Sequence, residues 1–224
     1  MTWVKICGIT NIEDALTAVE SGVDALGFVF YAKSPRNISP SIAGKIVAKL
    51  LPQVERVGVF VNESVEHIDD VVKEAGLTAV QLYGEDCALA FVEHLRVSCA
   101  GHRKPKVISV IPAEKLTDPD VFIAKDLGDT LHALLIDSGS AAKPGGTGEC
   151  FDWEKTKDVI EMLGYRHPTI IAGGLNATNV EEAIEAFHPW GVDVSSGVEA
   201  KPGKKDAWKI RDFIASVRRK RRVV

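Results

Sequence analysis

The chain has 224 residues, 46% hydrophobic and 26% charged, the balance of an ordinary globular protein and not of a disordered one. A net charge of -4 argues against a chain built as a whole for nucleic acid, and no run approaches the ~18 consecutive apolar residues of a membrane-spanning helix. The opening Met1-Thr2-Trp3-Val4-Lys5-Ile6-Cys7 lacks the basic flank and apolar stretch of a secretory signal, and four cysteines without a pairing pattern fit a reducing cytoplasm.

In chain order, short apolar runs predict strands over 3–7, 25–30, 56–61, 79–82, 107–111, 132–137, 169–172 and 192–195. Most are rich in Val, Ile and Leu with little alternation, as strands covered on both faces of a parallel sheet should be. Amphipathic stretches predict helices over 11–21, 40–51, 64–75, 86–96, 119–127, 151–163, 176–187 and 204–219. Strand and helix alternate eight times, about 28 residues to the unit, which predicts a single (βα)8 TIM barrel of the α/β class. A doubly wound open sheet, the other fold such alternation allows, usually carries G-x-G-x-x-G after its first strand, and none is present. An internal echo supports the barrel. Thr10-Asn11-Ile12-Glu13 and Thr178-Asn179-Val180-Glu181 both read as capping boxes, and each is followed by a helix and a glycine turn into a strand. No linker divides the chain, so residues 1–224 are expected to form one barrel domain. The basic run Arg218, Arg219, Lys220, Arg221 and Arg222 reads as a solvated helix end facing the negative C-terminal dipole, with a nucleic-acid arm as the alternative.

Active sites of such barrels lie where strands end and the following loops begin. Those positions are Cys7, Ser34-Pro35-Arg36, Gln81, Asp137, Gly173-Gly174 and Ser196-Gly197. The loops after strands seven and eight, with Gly145-Gly146-Thr147-Gly148 after strand six, leave backbone N–H groups uncovered, as a phosphate site requires. Cys7 is either a small buried hydrophobe or a thiolate favoured by the start of the first helix. Asp137 follows Leu134-Leu135-Ile136, so desolvation could keep it protonated as an acid, and a loop cap is the plainer alternative. The fork of Arg36 suits a planar carboxylate or else a surface salt bridge. Cys87, His94, Cys99 and His102 lack the spacing of a zinc site, and no metal is expected.

Taken together, Lys5-Ile6-Cys7-Gly8-Ile9-Thr10, Ala25-Leu26-Gly27-Phe28-Val29-Phe30, Ser34-Pro35-Arg36, Val57-Gly58-Val59-Phe60-Val61-Asn62 and Val80-Gln81-Leu82 form an ordered series of motifs. It continues with Gly145-Gly146-Thr147-Gly148, Phe151-Asp152-Trp153, Ala172-Gly173-Gly174-Leu175 and Asp193-Val194-Ser195-Ser196-Gly197-Val198-Glu199. Over nearly the whole chain the series resembles the phosphoribosylanthranilate isomerases. Tyr83 departs from it, standing where that family commonly has histidine, and 97–106 is less family-like.

The resemblance implies an Amadori rearrangement in tryptophan biosynthesis, N-(5-phosphoribosyl)anthranilate to 1-(2-carboxyphenylamino)-1-deoxyribulose 5-phosphate, without cofactor or metal. It carries the general base onto Cys7 and the general acid onto Asp137. Arg36 would hold the substrate carboxylate, and backbone around Gly146, Gly174, Ser196 and Gly197 the phosphate. The partner implied is a small phosphorylated molecule, neither nucleic acid nor membrane, for a monomer or homodimer. Two alternatives stand beside it: another sugar-phosphate isomerase on the same barrel, whose usual pair of aspartates Cys7 disfavours, and a non-catalytic phosphate-ligand barrel.

Overall fold

The computed structural model describes residues 1–97, 104–116, 131–139 and 150–219. Eight parallel strands close into a barrel in chain order: β1 (Trp3–Cys7), β2 (Ala25–Val29), β3 (Glu55–Val61), β4 (Ala79–Tyr83), β5 (Lys106–Pro112), β6 (Leu131–Asp137), β7 (Thr169–Ile171) and β8 (Gly191–Val194). Pairing of Trp3 with Gly191 through Ile6 with Val194 seals β1 to β8, so the barrel sheet has no open edge. Among the described residues the helices are α1 (Ile12–Glu20), α2 (Pro40–Val47), α3 (Val65–Ala75), α4 (Glu85–Val97), α5 (Trp153–Gly164), α6 (Val180–Phe187) and α7 (Ala207–Arg218). The closed (βα)8 barrel is the fold expected from the alternation of strands and helices.

The strands are apolar on both faces because each face has its own core. Outward residues such as Ile6, Leu26, Phe28 and Phe60 meet helix residues such as Ile68, Phe91 and Phe213. Inward residues, two apart along each strand, fill the barrel itself: Ala25, Val57, Ala79, Ile108, Ala133 and Ile170. Trp3 stacks on Trp190 with ring centroids 4.9 Å apart, and the edge of His132 meets Trp190 at 5.4 Å, which packs the N-terminal end of the barrel with rings. Each large apolar side chain buried this way contributes about 1.5–3 kcal/mol.

Local signals set most helix starts. Ser39 caps α2 through the Ile42 N–H with Pro40 in the first turn, and Ser64 caps α3 through the His67 N–H. The two expected capping boxes are not caps. Asn11 caps α1 by accepting from the Asp14 N–H, while the Thr10 hydroxyl donates to the Gly203 carbonyl at 2.6 Å. Before α6 the Thr178 hydroxyl and N–H both bond Asn176 Oδ1, so 176–179 is a side-chain-tied turn and the helix begins four residues later than expected. The expected 40–51 helix ends at Val47. The last helix starts at Ala207 and not at 204, because Lys204–Lys205 forms a strand (β10) antiparallel to Glu199–Lys201 (β9). The expected helix 119–127, the Gly146 loop, Cys99, His102 and the end of the basic run lie outside the described residues.

Candidate active site

The inward pleat of β1 places Trp3, Lys5 and Cys7 on one line, with Cys7 at the C-terminal mouth. Asp137 ends β6 in the same way, three strands round the barrel from β1 by way of β8 and β7. Cys7, Asp137, Arg36, Gly174 and Ser196 line one pocket at this end, with Tyr83 and Asp193 also in its wall. Five positions picked from strand ends are thus brought together. Gly197 lies just behind, packed so closely on the Leu175 carbonyl that it ties the loop after β8 to the loop after β7.

Burial moves Asp137 toward its protonated form. The residue is 2% exposed, and desolvation pushes its carboxyl above the ordinary carboxylate value. The Tyr83 hydroxyl donates to Oδ2 at 2.7 Å and the Gly139 N–H donates as well, and both favour the ionised form, yet burial outweighs them. Burial raises Tyr83 far above the usual phenol value and Asp137 raises it further, so Tyr83 stays a neutral donor.

Cys7 answers to different groups than those expected. The first helix begins at Ile12, capped by Asn11, so the thiol is not at a helix N-terminus. Burial pushes the thiol above its ordinary value, Lys5 pulls it down, Asp193 pushes it up and Lys205 pulls it down again. Lys5 itself is wholly buried and paired to Asp193 Oδ1 at 2.9 Å, and despite burial Asp193 and Cys7 hold its ammonium above the usual lysine value.

Arg36 does not make a surface salt bridge. Its Nε and Nη2 donate to the two carboxylate oxygens of Glu199 at 2.9 and 2.8 Å, with side chains only 11% and 5% exposed. Burial alone would raise Glu199, but Arg36 and Lys205 hold it below the usual carboxylate value. Glu199 uses two of the five guanidinium donors, so the edge formed by Nη1 and Nη2 still has hydrogens for a second planar anion. Glu199 also accepts from Lys205 Nζ at 2.9 Å, and Lys205 donates its backbone N–H to Asp14. The β9–β10 hairpin therefore pins Arg36 to the start of α1.

Gly173 and Gly174 have φ of 83 and 65°, and a Cβ at Gly173 would meet Ser138 Oγ at 2.2 Å. Only glycine fits this turn, which carries the chain past the end of β6. Asn179 Nδ2 donates to the Gly174 carbonyl at 3.1 Å, holding the turn closed from below. After β8 the chain forms a single 3-10 turn, Ser196–Val198, the short extra helix that often seats a phosphate in barrels of this kind.

Lys5, Asp193, Lys205 and Glu199 escaped the strand-end reading. For two of them a signal existed. Lys5 and Asp193 are charges in otherwise apolar strands, and Lys5 is two residues from Cys7, the spacing that puts both on one face. The partners of Glu199 are set by a hairpin with no readable pattern.

The family profile described as N-(5'phosphoribosyl)anthranilate (PRA) isomerase matches residues 4–216. An N-(5'-phosphoribosyl)anthranilate isomerase from Pelobacter propionicus is 44% identical over 214 residues, covering 96% of this chain and 94% of its own. The crystal structure of phosphoribosyl anthranilate isomerase from Thermotoga maritima superposes with a TM-score of 0.79 at 43% identity, over 96% of this chain and 98% of its own. A further isomerase structure, in complex with reduced 1-(o-carboxyphenylamino)-1-deoxyribulose 5-phosphate, has a TM-score of 0.75 at 41% identity, with 96% and 98% covered.

Proposed function

The chain belongs to the N-(5'-phosphoribosyl)anthranilate isomerase family and is an isomerase of tryptophan biosynthesis, and from that premise we propose how its own residues divide the chemistry. The reaction turns the aminoaldose N-(5'-phosphoribosyl)anthranilate into the aminoketose 1-(2-carboxyphenylamino)-1-deoxyribulose 5-phosphate. It needs an acid to open the furanose ring and a base to remove a proton from the neighbouring sugar carbon.

Asp137 is the acid. Its protonated carboxyl gives a proton to the ring oxygen, the C–O bond breaks, and the substrate nitrogen becomes an iminium. Cys7 is the base. Its thiolate takes the proton from the carbon next to the iminium, giving an enolamine that tautomerises to the ketone. The observation that carries this reading is that both groups face one pocket: a carboxyl that burial moves toward its protonated form, and a sulfur that burial also raises but that the buried ammonium of Lys5 pulls back toward the thiolate.

Arg36 takes the anthranilate carboxylate on the guanidinium edge that Glu199 leaves open. The main chain at Gly174 and Ser196 takes the phosphate, Gly197 sets the distance between their loops, and Gly146 completes the seat. The reading includes one barrel domain over 1–224, a cytoplasmic enzyme acting as monomer or homodimer on a small phosphorylated substrate, and no need of nucleic acid, cofactor or metal. No helix of the described residues is long and apolar enough to cross a membrane.

The test is direct. Purified protein should extinguish the anthranilate fluorescence of its substrate as product forms. Stable fluorescence with bound substrate would leave a phosphate-binding barrel without turnover.

A further inference from the structure

Lys5 has no exposed surface, and its ammonium lies on the inward face of β1 between two chemically opposed neighbours. Asp193 of β8 takes one side, Oδ1 to Nζ at 2.9 Å. The Cys7 sulfur, two residues on along the same inward line, lies on the other, where the positive charge of Lys5 works against the rise that burial imposes on the thiol. A lone buried ammonium is so costly to desolvate that it either pairs or gives up its proton. The Asp193 pair keeps this one charged.

The local packing is arranged for that contact. Gly27 of β2 stands directly beside Cys7 in register, and a Cβ there would lie 2.8 Å from Cys7 Sγ and 3.0 Å from Lys5 Cε. Any larger residue would push the ammonium and the sulfur out of place. Gly27 is thus the space through which the lysine stem reaches the thiol.

We propose that Lys5, kept charged by Asp193, is a positioning residue that stabilises the Cys7 thiolate against its own burial and keeps that sulfur at the mouth of the pocket. The proposal rests on the reading of Cys7 as the base. Lys5 never gives up its proton: the thiolate takes the carbon proton, becomes a thiol, and the ammonium keeps its pair with Asp193.

The other groups facing Cys7 do not replace Lys5. Lys205 of β10, held by Glu199 Oε1 at 2.9 Å and the Ser195 carbonyl at 3.1 Å, also favours the thiolate, but less than Lys5 does. Arg36 pairs through Nε and Nη2 with Glu199, and the proposed function gives its remaining edge to the substrate carboxylate. Asp193 of β8 opposes the thiolate, Tyr83 of β4 is neutral, and Asp137 of β6 across the pocket is the acid. Val29 and Val59 supply the apolar remainder of the wall.

The test uses Lys5→Met, which keeps the stem and removes the charge. Lys5→Met with Asp193→Asn serves in case the stranded carboxylate prevents folding. Alkylation of Cys7 by iodoacetamide is followed across pH by mass spectrometry of the Cys7 peptide, alongside kcat and KM. The midpoint of alkylation should rise by about one pH unit or more, which is a tenfold or greater loss of thiolate at neutral pH. kcat should fall by at least about tenfold with it, while KM changes little. A folded variant whose Cys7 alkylation profile coincides with that of the unaltered protein would overturn the proposal. Cys7→Ala separates the two claims: its activity, if retained, removes the base assignment, whereas an inactive Cys7→Ala beside an unmoved profile in Lys5→Met removes only the role of Lys5.

Discussion

The two ends of the barrel are built from the same strands and filled on different terms. Toward the N-terminal end the inward residues are Trp3, Ala25, Val57, Ala79, Ala133 and Ile170, with Trp3 stacked on Trp190. Toward the C-terminal end the same inward lines carry Lys5, Cys7, Gln81, Asp137 and Asp193, all buried. The first set stabilises by removing apolar surface from water. The second set carries a desolvation cost that packing alone would not select, since apolar residues of similar volume are often at least as stable as a buried ion pair. One end therefore holds the fold and the other holds charge where the reaction needs it.

The sharpest break of that contrast is at the proposed acid and base. Asp137→Asn and Cys7→Ser should each lose at least ~10²-fold in kcat, the low end for removing a general acid or base, with the fold intact. The pH profile sharpens the point. The proposed roles need Asp137 protonated and Cys7 ionised, and burial raises both above their ordinary values. The unaltered enzyme should give a bell-shaped kcat/KM. Raising Asp137 widens the acid's range upward in pH, and raising Cys7 delays the base. In Asp137→Asn the bell should become a single rise with pH that levels off above the Cys7 value.

The opposite break lies in the apolar layer. Ile108→Ala, at a fully buried position inside the barrel, should cost about 2–5 kcal/mol of stability by denaturant titration. Its kcat should change little at temperatures where the variant remains folded. A large kcat loss with unchanged stability would erase the distinction between the two ends.

Smaller effects lie in substrate binding. Arg36→Met should raise KM about tenfold to a hundredfold, the ~1.5–3 kcal/mol of a charged contact, and kinetics that do not change would remove Arg36 from the site. Gly174→Val should also raise KM, because the side chain blocks the approach of phosphate to the main chain.

The smallest effect concerns the hairpin clamp. Asp14 accepts from the Lys205 N–H, from Asn11 and from Lys204. Burial would raise it, but these partners hold it below the usual carboxylate value. Its contribution is present above the unfolded value and lost as pH falls through the lower folded one. Asp14→Asn should cost about 1 kcal/mol at neutral pH. The gap in Tm from the unaltered protein should narrow in acid, and a gap independent of pH would deny the carboxylate this role.

The fold was legible because strand and helix signals repeat. All eight barrel strands stand within a residue or so of where apolar runs predict them, since residues buried on both faces leave a continuous apolar mark. The boundaries that moved did so through side-chain hydrogen bonds, as with Asn176 before α6, or through tertiary pairing, as with Lys204 and Lys205 in β10. At the site, Cys7, Asp137, Arg36, Gly174 and Ser196 could be picked out because they end strands or lie in the loops that follow. The Cys7 environment comes from Lys5, Asp193 and Lys205 and not from the start of the first helix, and of these Lys5, two residues earlier on the same strand face, is visible in the sequence. The Arg36 pair with Glu199 joins positions 163 apart in sequence, and no local pattern announces it.

The division of labour between acid and base is tested most directly by deuterium at the sugar carbon that loses its proton. Cys7→Ser slows abstraction itself and should show a primary isotope effect on kcat. Asp137→Asn stalls the earlier ring opening and should show almost none. A large isotope effect in Asp137→Asn, or near-normal turnover in Cys7→Ser, would contradict the assignment of ring opening to the buried carboxyl and proton abstraction to the sulfur beside Lys5.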